Sequence, residues 1–191
     1  MMEEKKETEG GVAAEDAGKQ WFAMRDLTRS NARMPAYRML EERQIRCFTP
    51  MTRRLIVRKG KRMRADVPFM HDLVFVFDTR ERIDPVVEKV RTFQYRYLRG
   101  TNREPMTVRT EEMERFIRAV SSVDSPRYFR PEEITPAMCR HRIRLVDGPL
   151  SGYEGFLLTI RGSKAKRLLV EIPSLLAAAV EVLPEYIELL D

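Results

Sequence analysis

Between Arg53 and Arg64 the chain sets seven cations, Arg53, Arg54, Arg58, Lys59, Lys61, Arg62 and Arg64, and no acid appears until Asp66. Side chains of this type at this density do one kind of chemistry well: they neutralise phosphates, with an attraction that falls as salt rises. Two strand-like runs flank Lys59-Gly60, so the spacing predicts a hairpin that would gather all seven on one protruding ribbon. A solvated ribbon with no partner has the same composition. The charge is local: residues 20–68 hold thirteen Lys/Arg against four Asp/Glu, while residues 69–136 and 137–191 each balance and residues 1–19 are acidic. The net charge of +6 thus describes one patch, suited to a polyanion or an acidic protein surface.

Catalytic chemistry finds no starting point. His71 and His141 lie far apart, no serine stands in a G-x-S-x-G context, and Gly148, Gly152 and Gly155 lack the G-K-[ST] of a phosphate loop. The chain is therefore read as a non-enzyme without a cofactor. Cys47 and Cys139, with the two histidines, make at most one scattered four-ligand set lacking any C-x-x-C pair, so the expectation is two reduced thiols and no metal. The N-terminus is acidic with no apolar signal, and no apolar run approaches the roughly 20 residues that cross a membrane. These features predict a soluble, cytoplasmic protein with no membrane partner.

The elements that would position the basic patch follow from periodicity. Residues 1–19 are polar and aperiodic and read as a disordered tail. WFAM reads as a strand, with Ser30 and Asn31 as possible helix caps; Met34, Tyr37 and Leu40 then mark an amphipathic helix, which Pro35 fits only near its start. RCFTPM reads as a short strand, and LVFVF, apolar on both faces, as a central one. Asp84-Pro85 read as the start of a short helix, YRYLRG as a further strand, and Met113, Phe116, Ile117 and Val120 as the buried stripe of a helix capped by Thr110. The fold class is α+β: an N-terminal α/β sandwich with a central sheet flanked by helices, then a linker at 123–136 marked by three prolines. Five strand-like pieces follow in 137–191, which points to a small five-stranded β-barrel. Phe22, Met24, Met70 and Phe75 are more bulky than one covered sheet face needs, so an uncovered docking face is expected, although each side chain alone fits a core equally well.

With these residues assembled, Gln20–Asp191 resembles the NusG family of transcription elongation factors. WFAM, a helix, RCFTPM, a basic hairpin, VPFMHDLVFVFD and an R-x-F-x-Y-x-Y-L segment follow the order of the family's N-terminal NGN domain, here residues 20–122. IRLVDGPLSGYEGF, residues 143–156, resembles the KOW motif, whose glycines turn a strand sharply into an SH3-like barrel, here residues 137–191. RCFTPM and the short hairpin are similar to specialised paralogues of the RfaH and UpxY kind, which serve polysaccharide operons.

The resemblance implies a factor that sits across the cleft of RNA polymerase, contacts both large subunits, suppresses pausing and acts as an antiterminator. Alternatives are a general factor that assists termination, or an RNA-binding or ribosome-associated KOW protein. By position it implies polymerase contacts at Phe22, Met24, Leu73 and Phe75, and at Asp84, Pro85 and Val86. Arg25, Arg29 and the hairpin cations would touch the non-template DNA strand. Leu150, Ser151, Gly152, Tyr153 and Phe156 would receive the barrel's partner, Rho or a small-subunit ribosomal protein; Phe156 also fits a core position.

Overall fold

The computed structural model describes residues 16–30, 32–58, 60–158 and 162–190. Most of the expected tail, together with Asn31 and Lys59, lies outside the described residues. Along the chain run β1 (Gln20–Asp26), α1 (Ala36–Glu42), β2 (Arg46–Phe48), β3 (Met51–Arg58), β4 (Lys61–Pro68), β5 (Val74–Asp78), α2 (Arg80–Lys89), β6 (Phe93–Tyr95) and β7 (Thr107–Val108). α3 (Thr110–Ser121), β8 (Arg127–Phe129), β9 (Cys139–Leu145), β10 (Glu154–Leu158), β11 (Arg167–Ile172), β12 (Leu176–Glu181) and β13 (Ile187–Leu189) complete it. Two compact units result, one of residues 1–49 and 70–110, the other of residues 50–69 and 111–191. The mixed helix-and-sheet architecture is as expected.

In the first unit an antiparallel sheet has the order β2-β5-β1-β6, with β7 also paired to β1. Antiparallel partners point to the same face, so Phe22 with Val76 and Met24 with Val74 and Tyr95 form one face. That face packs on Met39 and Leu40 of α1 and Ile83 of α2 in a closed core. Burying a Phe or Met side chain there contributes about 1.5–3 kcal/mol over leaving it in water. The other face carries Trp21 with Phe77 and Ala23 with Phe75. Trp21 and Phe77 lie 5.2 Å apart, and the Arg46 guanidinium stands 5.1 Å and 5.2 Å from their ring centres, a cation–π arrangement over both.

Both helix starts differ from the sequence reading. α1 begins directly after Pro35, and Ser30 does not make the cap: Asp26 Oδ2 accepts the Ala36 N–H at 2.7 Å, while Oδ1 accepts the Thr28 N–H at 2.9 Å. A carboxylate buried at the end of β1 thus satisfies one orphan donor of the helix ten residues on, where the helix dipole favours negative charge. α2 starts at Arg80 rather than at Asp84, with Thr79 as N-cap, and takes Pro85 into its second turn. The hydrogen bond lost there belongs to the carbonyl of exposed Glu81, which water can serve.

In the second unit β3 and β4 form a sheet of their own, and β13-β9-β10-β11-β12-β8 form a six-stranded one. Each of the five strand-like runs expected near the C-terminus carries a strand. The stretch read as linker does more than connect: β8 pairs with β12, from Arg127 opposite Ala179 to Phe129 opposite Ala177. A three-residue strand among prolines leaves no periodicity to read. Tyr128 ties this unit together, its ring 5.6 Å from Phe69 at the hairpin base and 6.5 Å from Phe116 of α3. Burial pushes its phenol up to about 12, so it stays neutral. On α3 the buried stripe is Met113, Phe116, Ala119 and Val120, with Ile117 at its margin.

Candidate nucleic-acid interface

The hairpin is built as the charge pattern suggests. Eight residues of β3 pair antiparallel with eight of β4, from Met51 opposite Pro68 to Arg58 opposite Lys61. Gly60 turns the chain at φ 75°, a left-handed conformation that a side chain resists. Arg53, Arg54, Lys61, Arg62 and Arg64 are all exposed, while Lys59 and the Arg58 side chain lie outside the described residues. The register divides the ribbon: Arg53, Leu55, Val57, Arg62, Arg64 and Asp66 share one face, and Arg54, Ile56, Lys61, Met63 and Ala65 the other. Leu55 is 63% and Val57 69% exposed, two apolar side chains standing among arginines. Sequence reasoning counted the cations and passed over these two, although an apolar Leu55-Ile56-Val57 run inside so basic a hairpin was the available signal. Arg25 and Arg29 are exposed in the first unit.

The expected open apolar face is not there. Phe22, Met24, Leu73 and Phe75 are all at most 1% exposed. Phe22 and Met24 belong to the core beneath α1 and α2, with the Phe22 ring edge-on to Tyr95 at 5.5 Å. Phe75 lies on the opposite face, 6.3 Å from Phe48. Bulky residues on both sides of β1 and β5 reflect strands covered twice, which a single strand pattern cannot distinguish from one naked face. Of the second set, Pro85 is exposed and Asp84 and Val86 are half-buried on α2. Asp84 Oδ1 accepts the Tyr95 hydroxyl at 2.7 Å and Oδ2 lies 3.7 Å from Arg80. Burial, then this carboxylate, raises the Tyr95 phenol far above its ordinary value.

The glycine turn between β9 and β10 is tight for two separate reasons. Gly148 and Gly152 take φ of 80° and 82°, and a Cβ on Gly155 would meet the Leu169 carbonyl oxygen at 2.7 Å. The Gly152 N–H reaches back to the Leu145 carbonyl at 2.7 Å, closing the loop. Of the proposed partner residues, Leu150 and Tyr153 point inward and are buried, whereas Ser151 and Gly152 face outward. Phe156, equally compatible with a core, is 42% exposed and borders an open cleft of about 430 Å³. A polar cluster unforeseen from sequence lies beside it. Arg115 stands 4.8 Å over the Tyr153 ring and donates to the Glu154 carbonyl, while the Tyr153 hydroxyl donates to the Arg115 carbonyl at 3.2 Å. Arg144 donates to Glu154 Oε1 at 2.6 Å and 3.0 Å, and this bond foremost holds the Glu154 carboxyl below its usual range. As a surface pair it contributes little stability.

Among the described residues no helix is long and apolar enough to cross a membrane. No curated protein matches the sequence. A solved structure entitled "Domain interaction in Thermotoga maritima NusG" is similar at 12% identity, with 92% of this chain and 99% of that chain covered and a TM-score of 0.46. The family model described as NusG, transcription termination factor nusG, matches residues 19–117, just over half of the chain, which takes in the β2-β5-β1-β6 sheet, its helices and the basic hairpin: the chain belongs to the NusG family.

Proposed function

We propose that this chain binds elongating RNA polymerase across its cleft, suppresses pausing and promotes processive transcription, as an antiterminator for one operon of the polysaccharide kind. The observation that carries the reading is the family match over residues 19–117. On this reading residues 20–122 act as the NGN domain and 137–191 as the KOW barrel. Stabilising the closed polymerase at the expense of paused conformations requires only preferential binding to one state.

The buried positions of Phe22, Met24, Leu73 and Phe75 move the polymerase contact elsewhere. Exposed Pro85, with Asp84 and Val86 beside it on α2, is the surface we assign to the large subunits. Arg25, Arg29 and the hairpin cations meet DNA phosphates, which bind cations without reading sequence. Ser151, Gly152 and Phe156 are the outward part of the KOW loop region and would take its partner, Rho or a small-subunit ribosomal protein. RCFTPM and the short hairpin support the specialised role over a general one. A single-round elongation assay with purified polymerase on a template carrying one defined pause tests this reading: the chain should shorten the pause, and an unchanged or lengthened pause contradicts it.

A further inference from the structure

We propose that the β3–β4 hairpin is a duplex-DNA ribbon, which lies in a groove with Leu55 and Val57 turned toward the base edges and Arg62 and Arg64 reaching the phosphate walls. The inference rests on the reading above in assigning the hairpin to nucleic acid. It goes further in naming double-stranded DNA and in giving the two apolar side chains a role.

Three observations carry it. First, Leu55 and Val57 are the two most exposed large apolar side chains among the described residues, and they stand on one face at successive outward positions, about 7 Å apart by strand rise. Directly across the ladder from them are Arg64 and Arg62, so each apolar group is paired with a cation rather than with another apolar group. Charge is the ordinary way to blunt an exposed strand, so the arginines need no special reason, whereas Leu55 and Val57 held in water do. Second, exposed cations project from both faces of the ribbon, with Arg54 and Lys61 opposite Arg53, Arg62 and Arg64. An acidic protein surface would engage one face only. A DNA groove surrounds an inserted element with a floor and two charged walls, so it can use both. Third, the ribbon has the right width. Two strands about 5 Å apart with their side chains fill roughly the 12 Å of a major groove, which admits a two-stranded ribbon.

The apolar pair decides between duplex and single strand. Phosphate contacts alone would need only the arginines, and a single strand is usually held by aromatic platforms on which bases stack. The described outer half of the hairpin offers none; Leu55 and Val57 instead suit thymine methyl groups and sugar edges.

The test is equilibrium binding of the full chain, without polymerase, to a fluorescent 20-base-pair DNA duplex and to one of its strands across a salt series. The duplex should bind about tenfold more tightly than the strand. Leu55→Ala with Val57→Ala should weaken duplex binding about five- to tenfold while leaving the salt slope unchanged. Arg62→Ala with Arg64→Ala should reduce the slope of log affinity against log salt by about two. All four side chains are exposed, so these variants should keep the fold, and circular dichroism is the check. Preference for the single strand, equal binding to poly-glutamate, or an unchanged duplex affinity in the Leu55/Val57 variant overturns the proposal. Association with polymerase, measured in parallel, should survive the Leu55/Val57 change. Its absence in the unsubstituted chain would contradict the proposed function and leave the duplex result to stand separately.

Discussion

Gly148 lies against the ring of Tyr186: a Cβ at that position would come within 2.8 Å of Tyr186 Cε2. The contact joins the turn after β9 to the approach to β13, where the Val146 N–H also donates to the Tyr186 carbonyl at 2.9 Å. With φ of 80°, Gly148→Ala therefore faces two penalties, left-handed backbone and ring overlap, together about 2–4 kcal/mol. Gly152→Ala has the same φ problem with open space around it and should lose only about 1 kcal/mol. Urea unfolding of the two variants separates the penalties, and adding Tyr186→Ala to Gly148→Ala should return the overlap part.

Gly155 gives a sharper case. Its missing Cβ would meet a backbone oxygen of β11, which cannot rotate away as a side chain can. Gly155→Ala should therefore cost more than Gly152→Ala although its φ is ordinary. Strand β10 should show the loss first, as faster amide exchange at Phe156 and Leu157.

Asp26 is a second structural key. Asp26→Ala leaves the Ala36 and Thr28 N–H groups without their acceptor and removes the negative charge from the α1 start. A loss of about 2–3 kcal/mol is expected in denaturant unfolding, with Asp26→Asn in between because one acceptor oxygen remains.

Phe22→Ala tests where that side chain acts. As a core residue it should cost about 3–5 kcal/mol of stability, whereas Pro85→Ala, at an exposed position, should leave stability within about 1 kcal/mol and weaken polymerase association. The reverse pattern, a stable Phe22→Ala that loses only polymerase, would restore the open-face reading.

Cys47 is shielded. Burial raises its thiol to about 11, and its Sγ donates to the Tyr37 carbonyl at 3.7 Å. A raised thiol pKa favours the neutral, unreactive form below that pH. At pH 8 the thiolate fraction is about a hundredfold below that of an unperturbed thiol, and alkylation of the native chain should be slowed in proportion, returning to normal in denaturant. Cys139 is shifted the same way, again mainly by burial.

What the sequence disclosed and what it withheld divide along physical lines. Gly148 and Gly152 declared a sharp turn because only glycine accepts that backbone cheaply, and VFVF declared a strand buried on both faces. The two strand-like runs around Lys59-Gly60 declared a ribbon. Asp26 as the cap of α1 was illegible, since it is near Ala36 only after β1 and the following loop have folded. Pro85 misled, because a proline marks a helix start more often than a second turn. The openness of the β1 and β5 faces was equally unreadable: Phe22 and Phe75 look alike whether a helix, another strand or a partner covers them.

The most direct measurement of the central claim is association of the full chain with transcribing RNA polymerase, by co-purification from stalled elongation complexes formed on a defined template. The account predicts that the chain stays with the complex and that Pro85→Ala weakens its retention. A chain that washes away from polymerase while binding structured RNA tightly would contradict it.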